Sequence, residues 1–225
     1  MKFLKNICIT LVFLLIGLMP IEVHATQESE EANKNCKVLI DPGHGEWDGG
    51  AKNNNGIIEK DINLSISLKL RDKLNKEGYT VYMTREDDKA LSNNKRDDLQ
   101  SRCDKKKETS CNIFISIHQN MFSNPKSKGT QVWYASDEMS KQLAENIQDS
   151  VKQNLQSNNN RLAKDAKKSY KILRDGYNGA NVIVECGFLS NYDDEQNLKN
   201  DEYQNKLVDS ISKGIDMYTE KVLNK

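Results

Sequence analysis

The chain has 225 residues, a formal net charge of zero and 29% charged side chains, and its mean hydropathy is −0.76. Basic and acidic residues number 33 each and are intermixed, so no basic face indicates a nucleic-acid partner, and we expect none. The length suits one sizeable domain and is short for two.

The first 25 residues predict a secretory signal peptide. Lys2 and Lys5 precede an almost unbroken apolar run over 7–19, and a V-x-A cleavage site ends at Ala25. An uncleaved membrane anchor is the alternative, but the run is shorter than the roughly 20 residues that a spanning helix needs. We therefore expect a protein secreted across the membrane, with no stable membrane span after signal cleavage.

Residues 26–35 are polar and predict a disordered leader, and one domain follows over 36–225. Apolar or alternating runs predict strands at 36–40, 79–83, 112–117, 130–134, 171–173 and 180–184. Longer runs, three of them with apolar residues four apart, predict helices at 59–77, 95–107, 136–155 and 201–223. The lysine-rich run 164–168 is typical of a solvated helix or loop face. This alternation predicts an α/β fold, with a central six-stranded, mostly parallel sheet flanked by helices on both faces.

Three ionisable side chains follow directly after predicted buried strands. His44 comes after the first strand and a Pro-Gly turn, His118 after the third strand and Glu185 after the sixth. Because ligands of α/β sheets bind at the carboxyl ends of the strands, we expect these side chains to meet at that edge. Glu59 opens the first helix, after a Gly-rich loop that can fold back over the same edge.

Two histidines and two carboxylates at one edge indicate a catalytic zinc site. Two His and one carboxylate with an open fourth position form a zinc ligand set, and a further carboxylate can act as general base. Glu59, at a rigid helix start, suits the metal, whereas burial after an apolar strand should raise the pKa of Glu185 toward the range of a base. Asp41 should point away from His44 and support the loop or a ligand imidazole.

Four cysteines lie beyond the predicted signal peptide: Cys36, Cys103, Cys111 and Cys186. None belongs to a C-x-x-C pair, so a cysteine-rich zinc site is not expected. The even count in an exported protein permits a disulfide, for which Cys103 and Cys111 are the nearest pair, and buried free thiols are the alternative.

A series of short motifs gives the chain a resemblance to a known family. The motifs are DPGHG at 41–45, DGGA at 48–51, EKD at 59–61, NL at 63–64, TR at 84–85, SIHQN at 116–120 and ECGFLSN at 185–191. With them the chain resembles the zinc-dependent N-acetylmuramoyl-L-alanine amidases of the Amidase_3 type. The resemblance implies Zn²⁺ held by His44, Glu59 and His118, with Glu185 as the catalytic acid/base. It also implies peptidoglycan as substrate, cleaved between muramic acid and L-alanine of the stem peptide.

The size of the chain and its lack of wall-binding repeats most resemble the sporulation- and germination-specific members of this family. That resemblance implies action in the cell wall or spore cortex, where stripped muramic acid goes on to form a lactam. Several relatives are inactive until an activator protein binds, which raises the hypothesis of an activating protein partner. Two departures border the cleft: Glu46 stands where the family usually has Gly, and 178–181 lacks the usual proline.

Three other functions are open on the sequence. A cysteine hydrolase would use Cys186 and His118, but Cys186 follows Glu185 on a strand and should point to the opposite face. A non-catalytic wall-binding or scaffold module with the same fold would not need the intact set of two histidines and two glutamates. A zinc peptidase of similar architecture would differ in its products.

Overall fold

The structure is a computed structural model that describes residues 35–222. The predicted signal peptide and all but the last residue of the predicted leader lie outside these residues. Within 35–222, no helix combines the length and the apolar character that crossing a membrane would require.

The strands form one six-stranded sheet. They are β1 (Lys37–Pro42), β2 (Thr80–Met83), β3 (Ile113–Asn120), β4 (Gln131–Tyr134), β5 (Lys164–Asp165) and β6 (Ala180–Phe188). Their order is β2-β1-β3-β6-β4-β5, and every neighbouring pair is parallel except β4 with β6. The predicted six-stranded, mostly parallel sheet is therefore confirmed, and β1, β3 and β6 form its centre.

Among the described residues, five helices accompany the sheet: α1 (Glu59–Lys76), α2 (Lys95–Thr109), α3 (Glu138–Asn154), α4 (Tyr192–Lys199) and α5 (Asp201–Val222). Apolar residues of α1, α3, α4 and α5 form one buried cluster with alternate residues of the central strands. The remaining strand residues, such as Leu39, Phe114 and Ile183, face a second cluster that includes Cys103 of α2. Helices thus cover both faces of the sheet, as predicted.

Helix α1 shows why the periodicity was informative. Ile62, Ile66, Leu70 and Leu74 recur every four residues and are all buried, because that spacing places them on one face of a helix. Gly78 follows the helix with a φ of +89°, a left-handed conformation that glycine adopts without steric cost. At its other end, the helix begins at Glu59, beside the sheet edge where β1 ends.

The predicted strand at 171–173 is wrong. Lys171–Leu173 forms a short 3-10 turn, whose Ile172 and Leu173 are buried in the second cluster. The Ile172 carbonyl accepts a hydrogen bond from Lys106 Nζ at 2.7 Å rather than from a neighbouring strand. An apolar run of three residues is compatible with either structure, and here side-chain burial anchors a turn.

The sixth strand lies instead in the lysine-rich run 164–168, for which the sequence predicts a solvated helix or loop face. Lys164–Asp165 pairs with Trp133 and Tyr134 of β4, and Lys164 Nζ lies 4.7 Å from the centre of the Trp133 ring. A two-residue edge strand carries too little pattern to be predicted. Helix α4 was also not predicted, although Asn191 caps it by accepting the Asp194 amide hydrogen.

All four cysteines of the described residues are buried and free. Of the two alternatives for Cys103 and Cys111, the structure therefore has separate thiols rather than a disulfide.

Candidate metal centre and active-site cleft

The structure brings His44, Glu59 and His118 together at the carboxyl edge of the sheet. Their candidate ligand atoms all lie within 4.8 Å of one another. Glu59 Oε1 is 2.9 Å from His118 Nδ1 and 3.3 Å from His44 Nε2. The two imidazole rings meet edge to face, with centroids 5.0 Å apart. Each residue comes from a different place: the turn after β1, the start of α1 and strand β3.

The carboxylate of Glu59 is held by backbone donors as well as by the histidines. The amide nitrogens of Gln119 and Ala51 donate to it at 3.1 and 2.8 Å. Strand β3 runs on past the last pair that β1 makes with it, Pro42 with Ile117. Consequently the Gln119 N–H has no strand to pair with, and Glu59 accepts it instead. Burial opposes ionisation of Glu59, but His118 and His44 outweigh it and hold its pKa well below the ordinary value.

Asp48 orients His44 and was not identified from the sequence. Its carboxylate lies 2.9 Å from His44 Nδ1, four residues away along the Gly-rich loop. A carboxylate on one ring nitrogen favours a proton there, so that the electron pair of the other nitrogen, Nε2, is available to a metal ion. The sequence signal, an aspartate four residues after a strand-end histidine, is too common in polar loops to have been decisive.

Two glycines make room for the cluster. A Cβ on Gly43 would lie 2.3 Å from the Cε1 and Nε2 atoms of His118, and a Cβ on Gly50 would lie 2.5 Å from Glu59 Oε2. The sequence marks Gly43 only as part of the Pro-Gly turn before His44. Its second role, as the surface on which the His118 ring lies, depends on a residue 75 positions away and has no local signal.

Glu185 lies beside the three clustered residues, where the sequence placed it. Strand β6 pairs it with His118 of β3. It is 8% exposed, and its Oε2 atom is buried with no hydrogen-bond partner among residues 35–222. Burial, the largest influence, raises the pKa of Glu185 to about 7. A carboxyl group with that pKa can take up and release a proton near neutral pH.

All four side chains line one cleft of about 330 Å³. Tyr170 and Ile172, from the segment around the 3-10 turn, form part of its wall. The donor set of two imidazoles and one carboxylate is the set that a catalytic zinc ion prefers, and the neighbouring cleft leaves room for water or substrate. The residues present therefore fit Zn²⁺.

Asp41 supports the loop rather than an imidazole. Its carboxylate is fully buried and accepts hydrogen bonds from Arg102 Nη1 at 2.6 Å, Thr84 Oγ1 at 2.6 Å and Ser116 Oγ at 2.7 Å. Arg102 in turn donates to the His44 carbonyl at 2.8 Å. Of the two roles that we considered for Asp41, the structure favours support of the loop, through Arg102.

Glu46, the departure beside His44, fastens the loop to a neighbouring segment. Its backbone has a φ of +50°, its amide donates to Asp88 Oδ1 at 2.7 Å, and its carboxylate accepts from the Ala90 amide at 3.2 Å. Lys60 Nζ donates to its carbonyl at 2.9 Å. Of these contacts only the one with the Ala90 amide needs a side chain at position 46, whereas a glycine could keep the backbone contacts with Asp88 and Lys60.

The position of Cys186 argues against a cysteine hydrolase. Its side chain is fully buried in the main core cluster, on the opposite face of β6 from Glu185. Burial, with smaller contributions from nearby carboxylates, raises the pKa of this thiol well above its ordinary value. A neutral, buried thiol is a poor nucleophile.

The chain is similar to known proteins in its match to a family model, in its sequence and in its structure. A family model for N-acetylmuramoyl-L-alanine amidase matches residues 38–217. The germination-specific N-acetylmuramoyl-L-alanine amidase of Bacillus subtilis is 36% identical over 194 residues, which cover 82% of this chain and 80% of that protein.

Solved structures agree. The CwlD amidase of Clostridioides difficile, in complex with the GerS lipoprotein, matches with a TM-score of 0.78 and 36% identity, covering 83% of this chain and 100% of that one. The N-acetylmuramoyl-L-alanine amidase AmiC2 of Nostoc punctiforme matches with a TM-score of 0.73 and 30% identity, covering 82% of this chain and 97% of that one.

Proposed function

The chain belongs to the N-acetylmuramoyl-L-alanine amidase family and is a peptidoglycan amidase, and we propose that it works with a zinc ion held by His44, Glu59 and His118 and with Glu185 as general base. One observation carries the proposal. Two imidazoles and a carboxylate converge within 4.8 Å. Glu185 lines the same cleft, and one of its oxygens has no partner in the part of the chain that the structure describes.

The division of labour follows from the contacts. When bound, Zn²⁺ supplies Lewis-acid polarisation of the scissile carbonyl and lowers the pKa of water. Asp48 and the Gln119 amide hold His44 and Glu59 in place before any ligand arrives. Glu185, with a pKa of about 7, takes a proton from the attacking water and later delivers it to the leaving amine of L-alanine.

We propose the spore cortex or cell wall as the place of action, reached through the predicted signal peptide. Support comes from the relative in Bacillus subtilis, which is named as germination-specific. There, removal of the stem peptide would leave muramic acid free for lactam formation. Muropeptide analysis of spores that lack the gene should find no muramic lactam, and a normal lactam content would contradict this role.

We also propose that a protein partner binds this chain. The relative from Clostridioides difficile was solved together with a lipoprotein, and this chain covers all of that amidase. If a partner is required for activity, the purified chain alone should hold little zinc and turn over slowly. Full zinc occupancy and high turnover of the chain by itself would rule out the requirement.

The reaction itself is tested with purified protein and peptidoglycan, with and without a chelator. An amidase releases stem peptides that carry a free L-alanine amino terminus, whereas a peptidase cuts within the stem and leaves L-alanine on muramic acid. Glu185→Gln should lower kcat by about 10²–10⁴-fold and leave zinc content unchanged. Muropeptides that stay intact with the wild-type chain would instead support a wall-binding or scaffold module.

A further inference from the structure

Two buried arginines bind the backbone of the turn that carries His44. Arg85 Nε and Arg102 Nη1 both donate to the Pro42 carbonyl at 3.0 Å. Arg85 Nη2 donates to the Gly43 carbonyl at 3.0 Å, and Arg102 Nη2 donates to the His44 carbonyl at 2.8 Å. Three successive carbonyl oxygens of the turn therefore accept hydrogen bonds from guanidinium groups that are almost wholly buried.

The turn needs this support because its backbone is strained. His44 has a φ of +63° and Glu46 a φ of +50°, in the left-handed region that residues other than glycine seldom adopt. Such conformations persist only where the surrounding contacts impose them. The hydrogen bond from Arg102 to the His44 carbonyl acts on the strained residue itself.

Each arginine also ties the turn to a second element. Arg85 Nη2 donates at 3.0 Å to the Lys60 carbonyl, one residue after Glu59. A single nitrogen thus bridges the turn of His44 and the first turn of α1. Arg102 is paired with Asp41 of β1 and Asp98 of α2, each at 2.6 Å.

We infer that Arg85 and Arg102 are positioning residues of the metal centre, which set the backbone of His44 and its spacing from Glu59 so that the ligands are arranged before zinc binds. The inference rests on the proposed metal site. A guanidinium presents five donors spread over a planar fork, whereas an ammonium group at either position has three donors on one nitrogen and cannot reproduce that pattern. A merely structural role would affect stability and leave the metal affinity unchanged.

Arg85→Lys and Arg102→Lys keep the positive charge and remove the planar set of guanidinium donors, so they are the variants to test. We expect the zinc dissociation constant, measured by competition with a chromogenic chelator, to rise by about 10–100-fold. With Co²⁺ in place of zinc, the visible absorption spectrum should change in shape and intensity, since it reports the arrangement of the ligands.

Lys106→Met is the matched control. Lys106 is also fully buried, lies 2.7 Å from Asp175 and donates to Ile172, but it touches no part of the turn. Its replacement should lower the unfolding free energy as much as the arginine variants do, while the zinc affinity and Co²⁺ spectrum stay as in wild type. An equal loss of zinc affinity in Lys106→Met would overturn the inference, because the effect would then follow stability alone.

Asp98→Asn provides a second route if the lysine variants do not fold. It weakens one anchor of Arg102 and leaves the bond to His44, so a smaller rise in the zinc dissociation constant is expected. Unchanged zinc affinity and an unchanged Co²⁺ spectrum in the folded variants would overturn the inference while leaving the metal site intact. A wild-type chain that binds no zinc even when excess zinc is added would overturn both.

Discussion

Gly43→Ala should damage the metal centre without straining the backbone. Neither Gly43 nor its neighbour in the loop, Gly49, has a left-handed φ, so alanine is conformationally allowed at both positions. The new Cβ at 43 would lie 2.3 Å from two atoms of the His118 ring, whereas ordinary contacts begin at 3.4 Å. The ring must therefore retreat by about 1 Å, which breaks its 2.9 Å contact with Glu59.

A displacement of about 1 Å in a catalytic constellation can cost about 10²-fold in rate. We expect a loss of that order in kcat/KM for release of L-alanine termini, together with a weaker zinc affinity. Gly49→Ala is the control, since its Cβ would meet only Ile58 Cγ2, at 3.2 Å. If Gly43→Ala kept the zinc affinity and the turnover of the wild type, the reasoning that a glycine is needed here to leave room for the His118 ring would be refuted.

Three further outcomes are expected. Burial disfavours the charge on Asp41, but Arg102, Thr84 and Ser116 outweigh it and hold its pKa at about 2 against an ordinary 3.8. The contribution of the Asp41 carboxylate to the free energy of unfolding is therefore full above about pH 5 and falls by about 2 kcal/mol as the pH drops toward 2. Urea unfolding should show that the difference in unfolding free energy between wild type and Asp41→Asn narrows by that amount. A difference that stays constant with pH would contradict this prediction. Cys186→Ser should lose about 1–3 kcal/mol of stability by burying a hydroxyl but keep its turnover, whereas abolished turnover in the folded variant would revive the cysteine mechanism. Zinc at about 100 times its dissociation constant should stabilise the chain by about 2.7 kcal/mol, so a chelator should lower the Tm of wild type and leave that of His118→Ala unchanged.

The residues that meet in the cleft were predictable because sheet geometry brings them there. His44 lies in the turn after β1, and the sequence predicts His118 and Glu185 just past their strands, whereas the structure has them paired inside β3 and β6, near the carboxyl ends. Parallel neighbours in the sheet present those ends at one edge, so the three side chains still meet there. Glu59 was predictable for a different reason, since the apolar spacing of α1 indicates where that helix begins.

The two arginines that support the turn of His44 were not predictable, because their partners are far away in sequence. Arg102 acts on carbonyls 58 and 60 positions away, and Arg85 on carbonyls 42 and 43 positions away. Such side-chain to backbone contacts leave no periodic pattern. The misassigned segment at 171–173 and the two-residue strand β5 were missed for another reason, namely that they are too short for periodicity to distinguish a strand from a turn.

The backbone hydrogen bonds of Glu59 bear on how active members of the family can be told from inactive ones. Glu59 accepts the amide hydrogens of Ala51 and Gln119, so its loss would leave a partly buried and a buried donor unpaired even in a chain that no longer needed a metal. A descendant that had become inactive would still have a reason to keep it. Glu185 has no such second duty, since its Oε2 has no partner among residues 35–222. Of the two glutamates, Glu185 is therefore the better marker of retained catalysis.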